Sequence, residues 1–310
     1  MPRSILVADD IDNDSGTGKK RSLALREIAS SLAYRLKTGV DLLHVEDSNA
    51  FPVERFGFDS RRLQDWHSEH QKKLEELTMN LPVPARSILR RGSPAEQIQK
   101  ALRSKSPPEL VVLGTCGRKG MERLLLGSVA EEVIRHSRRP VMVIGPLACE
   151  NYPNFDSRDP LNILVATDLG KNSRSPETYA RSLSRRTGAK VVFLHDPSES
   201  VKNLMQSFLP YGAPPVNLEE TLTRIRTDAI KSLKQKVNSF KRQGISSDYK
   251  LVENAEATAG GILSESKKGY SLVIMGTHGR NFLLNSFFGS TARETILRSK
   301  IPIIIIHSLK

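Results

Sequence analysis

The sequence predicts an α/β fold: two tandem Rossmann-like domains, each a five-stranded, mainly parallel sheet with helices on both faces. Three observations predict it. Short β-branched runs alternate with longer stretches of helical period, which is the pattern of a parallel sheet covered by helices. The chain also repeats itself, because GTCGRKGMERLLLGS at 114–128 and GTHGRNFLLNSFFGS at 276–290 share three glycines, a Thr, an Arg and a Ser at an offset of 162. Finally, 310 residues accommodate two domains at about 150 residues each.

The elements follow in order. SILVA opens the chain as a first strand, and its apolar run stops at Asp9 and Asp10, too soon for a signal peptide. Leu25, Ile28, Ala29, Leu32 and Leu36 make one helical stripe before the strand VDLLHV. Leu63, Trp66, His70, Leu74 and Leu77 make a second stripe before ARSILRR. GSPAEQIQKAL supplies a third helix, with Ser93 as N-cap and Pro94 at the first helical position. ELVVLG and PVMVIG complete the first set of strands. The second half repeats the plan with NILVAT, AKVVFLH, DYKLVE, SLVIMG and IPIIIIH.

The proline-bearing stretch 146–160 lacks either period, so the domains are placed at 1–147 and 161–310 with a linker at 148–160. Two irregular stretches, 47–58 and 196–216, follow the second strand of each repeat. Loops at the carboxyl ends of parallel strands are where such sheets take ligands, so 196–216 reads either as a lid or as a plain surface excursion.

A formal charge of +13 raises the question of a nucleic-acid partner. The basic residues are scattered in short groups such as Arg90-Arg91 and Arg185-Arg186, and only 5% of residues are aromatic, so solvated surface charge is the better reading. No run approaches the roughly 18 apolar residues of a membrane span. Two cysteines, Cys116 and Cys149, cannot build a disulfide framework, which points to a reduced, cytoplasmic protein.

Gly114 and Gly117, and their counterparts Gly276 and Gly279, follow directly on an apolar strand. Glycine there permits positive φ and lets an anion approach the main chain without meeting a Cβ. Gly127-Ser128 and Gly289-Ser290 then open a helix whose N–H groups face the same region, giving a phosphate cradle in each repeat. The bland reading is a turn and a helix cap, but selective agreement between repeats at these positions favours a site. SGTGKK at 15–20 is not a P-loop, since that motif needs Gly where Asn13 stands and Ser or Thr where Lys20 stands.

The pattern G-x2-G-x9-G-[ST], placed twice between a fourth strand and a last helix, resembles the nucleotide-binding signature of the universal stress protein family. ILVADD, ILVATD, DLLHV, VVLGTCGR, VIMGTHGR and GSPAEQI resemble the family's strands and third-helix entry, so the likeness covers nearly the whole chain. It implies a cytoplasmic stress-response protein that binds ATP or another adenine nucleotide and acts as a nucleotide-dependent binding or signalling module. Asp10 and Asp168 would lie beside the nucleotide, and Val45 would contact adenine through its main chain. Gly114, Gly117, Gly127, Ser128 and Val129 would hold ribose and phosphates in repeat one, as would Gly276, Gly279, Gly289, Ser290 and Thr291 in repeat two. Arg118 and Arg280 are added from charge and position. Repeat two departs from the pattern, with Asp196 where repeat one has Val45 and NAEAT where it has GSPAE.

No catalytic set emerges, and the alternative is an ATP-hydrolysing or adenylate-forming enzyme on the same fold. His44 and His195 coincide inside strands and read as structural, while Cys116, facing His278 in the sister copy, reads as incidental. No Cys/His spacing makes a protein-only metal cage, so a Mg²⁺ held mainly by ATP phosphates is the metal to expect. The apolar final strands predict that 140–145 pairs antiparallel with 302–307, with both cradles away from that seam. A homodimer is a further assembly that such edges allow.

Overall fold

The computed structural model describes residues 4–47, 60–115, 126–150, 152, 155, 159–170, 173–208, 217–252, 257–277 and 288–307. Repeat one runs β1 (Ser4–Ala8), α1 (Gly16–Leu36), β2 (Gly39–Glu46), α2 (Ser60–Met79), β3 (Ala85–Arg91), α3 (Pro94–Leu102), β4 (Leu110–Gly114), α4 (Ser128–His136) and β5 (Val141–Ile144). Repeat two runs β6 (Asn162–Ala166), α5 (Arg174–Thr187), β7 (Lys190–His195), α6 (Ser198–Phe208), α7 (Leu218–Lys241), β8 (Ser247–Leu251), α8 (Thr258–Ser266), β9 (Leu272–Gly276), α9 (Ser290–Arg298) and β10 (Ile303–Ile306). Each strand expected from the β-branched runs is present.

The strands form one ten-stranded sheet in the order β3-β2-β1-β4-β5-β10-β9-β6-β7-β8. Pairing is parallel within each repeat. It is antiparallel where β5 meets β10, with Val141 opposite Ile305, Met142 opposite Ile304 and Val143 opposite Ile303. Met142 and Ile304 are separated by the repeat offset of 162, and the flanking pairs exchange the same two positions, so a pseudo-two-fold axis passes through this central pair.

Strand alternation divides the core into two layers. Leu25, Ile28 and Leu32 of α1, Leu74 of α2, Leu183 of α5 and Leu233 of α7 pack on one face with Val40, Leu42 and Met142. Ile98 of α3, Val133 of α4, Ile262 of α8 and Ile296 of α9 pack on the other with Leu43, Val45 and Val143. Ser15 caps α1 by accepting the Gly18 N–H at 3.0 Å, so the SGTGKK segment is a helix start and not a phosphate loop.

The seam is reinforced beyond its three residue pairs. A Cβ at Gly145 would lie 2.2 Å from the Ile296 carbonyl oxygen, so β5 ends in direct backbone contact with α9 of the other repeat. Arg293 of α9 reaches Glu131 of α4 at 2.6 Å, and these positions also differ by 162. Arg186 binds Glu109 at 2.7 Å and donates to the Leu36 carbonyl at 3.0 Å. Its counterpart Arg35, also two residues before a left-handed helix cap, donates instead to the Phe155 and Asp159 carbonyls at 2.6 and 3.0 Å. The connecting segment is thereby docked, with Ala148 and Phe155 buried in the core.

One expectation needs correction. The stretch 196–216 is not irregular throughout, because α6 occupies Ser198–Phe208. Asp196 accepts the Ser198 N–H at 2.8 Å and so supplies the missing start signal. Residues 209–216 lie outside the described residues.

Candidate functional site

Asp10 follows β1, Val45 is the penultimate residue of β2 and Gly114 ends β4, so three residues expected at a nucleotide site share the carboxyl edge of repeat one. Gly127 is the N-cap of α4 and Ser128 its first residue, with no side-chain cap on the helix start. Ser128 is exposed, and Val129 is half-buried beside it. Repeat two builds the same geometry from Asp168, Gly276, Gly289, Ser290 and Thr291, again with no side-chain cap at Gly289. The Gly127 N–H donates to the Thr115 carbonyl and the Gly289 N–H to the Thr277 carbonyl, both at 2.9 Å. One strand-end residue thus positions each helix start. Gly117, Arg118, Gly279, Arg280 and Cys116 lie outside the described residues.

Two parts of the glycine reading are corrected. Gly114 and Gly276, where positive φ is expected, instead end β4 and β9 and do not use the left-handed region, and Gly127 and Gly289 have φ of −60° and −68°. A Cβ at Gly127 would lie 2.6 Å from the Thr115 carbonyl oxygen, and one at Gly114 would lie 2.5 Å from Cδ of the buried Arg21. The Thr115 backbone leaves no room for a Cβ at Gly127, and a Cβ at Gly114 would have to displace the Arg21 side chain. The cradles are also not away from the seam, since β4 neighbours β5, β9 neighbours β10, and the first turns of α4 and α9 meet through Glu131 and Arg293.

The two crevices differ in charge. In repeat one the buried carboxylate at the strand end is Asp9, which accepts from Ser22 and Arg26 at 2.5 Å each. In repeat two Asp168 accepts from the Gly170 N–H at 2.9 Å and from the Ser173 hydroxyl, and Asp196 takes the place of Val45. Asp168 Oδ2 and Asp196 Oδ2 are both buried without a hydrogen-bond partner.

His44 and His195 are hydrogen-bonded within the strands, His44 Nδ1 to the Asp9 carbonyl at 3.0 Å and His195 Nδ1 to the Thr167 carbonyl at 2.8 Å. His44 also belongs to a cluster that the sequence did not reveal, with Asp12 and His70, whose potential ligand atoms all lie within 4.8 Å of one another. Its members come from three elements dozens of residues apart, and no local spacing signals it. Among the described residues no helix is long and apolar enough to cross a membrane.

Comparison with known proteins agrees with this architecture. A universal stress protein of Methanocaldococcus jannaschii is 32% identical over 131 residues, covering 41% of this chain and 76% of that protein. A universal stress protein of Mycobacterium tuberculosis is 25% identical over 199 residues, covering 64% of this chain and 61% of that one. The chain therefore spans under two thirds of the longer relative. The crystal structure of a universal stress protein from Archaeoglobus fulgidus superposes over 99% of this chain and 98% of that chain with a TM-score of 0.64, at 19% identity, a likeness of fold alone. The profile of the universal stress protein family matches residues 1–145 and again 161–307, so this chain belongs to that family and carries it twice.

Proposed function

We propose that the chain binds ATP or a related adenine nucleotide at the glycine cradle of each repeat and works as a nucleotide-dependent binding or signalling module in the stress response. One observation carries the reading: in both repeats a helix start with no side-chain cap stands beside the carboxyl end of the fourth strand, with an exposed serine at its first position. Backbone N–H groups and the helix dipole favour an anion there. Asp10, Val45 and Gly114, with Asp168 and Gly276 in the sister copy, would meet the base and ribose, and Arg118 and Arg280 the phosphates. The domains at 1–147 and 161–310 would each hold one nucleotide.

Repeat one is the stronger site. The partnerless carboxylate oxygens of Asp168 and Asp196 oppose phosphate in repeat two unless a cation such as Mg²⁺ accompanies it. We read the module as cytoplasmic, with at most slow ATP hydrolysis.

The test is thermal denaturation with and without ATP and Mg²⁺. A ligand that binds only the folded state stabilises it by about 2.7 kcal/mol at 100 times its Kd, so a rise in melting temperature is expected. Gly127→Val is a poor probe because its new side chain would collide with the Thr115 carbonyl. Ser128→Glu and Ser290→Glu are better, because a carboxylate at a helix N-terminus suits the fold while repelling phosphate. The Ser128→Glu variant should lose most of the ATP shift. A full shift in the double variant would refute the site, and turnover near the enzyme range of roughly 1 to 1000 per second would refute the limit to slow hydrolysis.

A further inference from the structure

Three side chains from separate elements converge beneath α2: Asp12 in the turn after β1, His44 in β2 and His70 in α2. His44 is 1% exposed and His70 is also buried. Both rings are oriented through Nδ1, since His44 Nδ1 meets the Asp9 carbonyl at 3.0 Å and His70 Nδ1 meets the Trp66 carbonyl at 2.7 Å. A carbonyl only accepts, so Nδ1 carries the hydrogen in each ring and the neutral ring presents Nε2 as a lone pair. Both Nε2 atoms face one carboxylate, His70 at 2.5 Å from Asp12 Oδ1 and His44 at 3.4 Å from Asp12 Oδ2. Three acceptors directed at a common point require a cation among them.

A proton on His70 satisfies only part of this. Burial works against charge on both Asp12 and His70, but hydrogen bonding and attraction from His44 and His70 hold the Asp12 carboxyl low, and those from Asp12 hold His70 raised. His44 Nε2 is nevertheless buried 3.4 Å from Asp12 Oδ2 without a well-formed hydrogen bond. A buried imidazole nitrogen so aimed at a carboxylate is what a metal ion would resolve.

We propose that Asp12, His44 and His70 bind a divalent transition metal of the zinc class. Two imidazoles and one carboxylate suit such an ion better than Mg²⁺ or Ca²⁺, which prefer oxygen donors throughout. Zinc–ligand bonds of about 2.0–2.2 Å set tetrahedral ligand atoms roughly 3.3–3.5 Å apart, matching the His44 to Asp12 separation. Asp12, in a turn and 20% exposed at its side chain, is the member able to swing away from His70. The second sphere is also in place. Glu46 lies 3.6 Å from His70 Nδ1 and is held by Arg91 at 2.7 Å and His67 at 3.0 Å, while Lys73 fastens the Asp12 turn through the Ile11 carbonyl at 2.6 Å.

This site is separate from the nucleotide cradle. His44 alternates with Leu43 and Val45 and joins the α1 and α2 face, whereas α4 packs on the opposite face. The fold does not require it either. Repeat two keeps His195, but counting from the shared Asp10 and Asp168 it has Gly170 for Asp12. Aligning the fully buried Leu74 and Leu233 puts Ala229 in place of His70.

The experiment uses the full chain, stripped with chelator and titrated with Zn²⁺ alone, with Mg²⁺ as control and Co²⁺ as a spectroscopic probe. One equivalent of Zn²⁺ should bind and raise the melting temperature, and Co²⁺ should give visible bands of a four- or five-coordinate nitrogen–oxygen site. Asp12→Asn and His70→Ala should each lower Zn²⁺ affinity at least tenfold and abolish those bands. Asp12→Asn, at a partly exposed turn, keeps the test valid if a histidine variant fails to fold. Wild-type affinity no greater than that of the Asp12→Asn variant, or Co²⁺ spectra unchanged by it, would overturn the proposal and leave a proton-bridged Asp12–His70 pair.

Discussion

Asp9 and Asp10 are neighbours in the chain with opposite surroundings. Asp9 is 4% exposed and accepts from Ser22 and Arg26, whereas Asp10 is half-exposed at the strand end, the place expected of a ligand-facing carboxylate. Strand parity separates them, because Val7 belongs to the α1 face and Ala8 to the α3–α4 face. Removing Arg26 would strand a buried carboxylate, so Arg26→Ala should cost about 3–5 kcal/mol, read as a lowered urea midpoint. Asp9→Asn in the same chain should recover part of that loss, since it removes the charge left behind. A loss for Arg26→Ala below about 1 kcal/mol would show that water reaches Asp9 and that the pair behaves as a surface one. Repeat two has Thr167 at this place, bonded to Glu177 at 3.2 Å, so each repeat holds its first strand end by different chemistry.

At the level of elements, every strand was legible because β-branched runs bounded by turn residues carry a local signal. The α3 start was legible for the same reason, with Ser93 as N-cap and Pro94 in the first turn as expected. What escaped was of two kinds. The α6 start rests on a local side-chain bond, from the Ser198 N–H to Asp196 two residues earlier, that carries no helical period, whereas the Asp12, His44 and His70 cluster is non-local and only the fold assembles it. The glycines were legible as positions but not as causes, since no sequence shows that the Thr115 carbonyl sits under Gly127. Gly145 makes the same point at the seam. Gly145→Ala would press a methyl group against the Ile296 carbonyl, a backbone atom with little room to yield, and should cost about 1–3 kcal/mol. A melting temperature within a degree of the parent would show that β5 and α9 can move apart freely.

For the whole molecule, a continuous sheet and two shared core layers couple the repeats. Heat or urea should therefore unfold them in one transition, with calorimetric and van't Hoff enthalpies in agreement. Ile304 is fully buried at the axis pair, so Ile304→Lys places an unpaired charge in the seam and should cost more than about 4 kcal/mol and split the transition in two. Two separate transitions in the parent protein would mean that the seam joins bodies which fold independently.

The antiparallel seam also runs the two strand sets in opposite directions, while the first turns of the two cradle helices, α4 and α9, meet across it. Beside the axis, Glu131 faces Arg293, the residue that replaces it one repeat later. Two identical copies of repeat one would set glutamate against glutamate there, and two copies of repeat two arginine against arginine. Duplication has converted a place of self-contact into one of mutual recognition. Expressed as separate chains, the halves should mate with each other in preference to themselves.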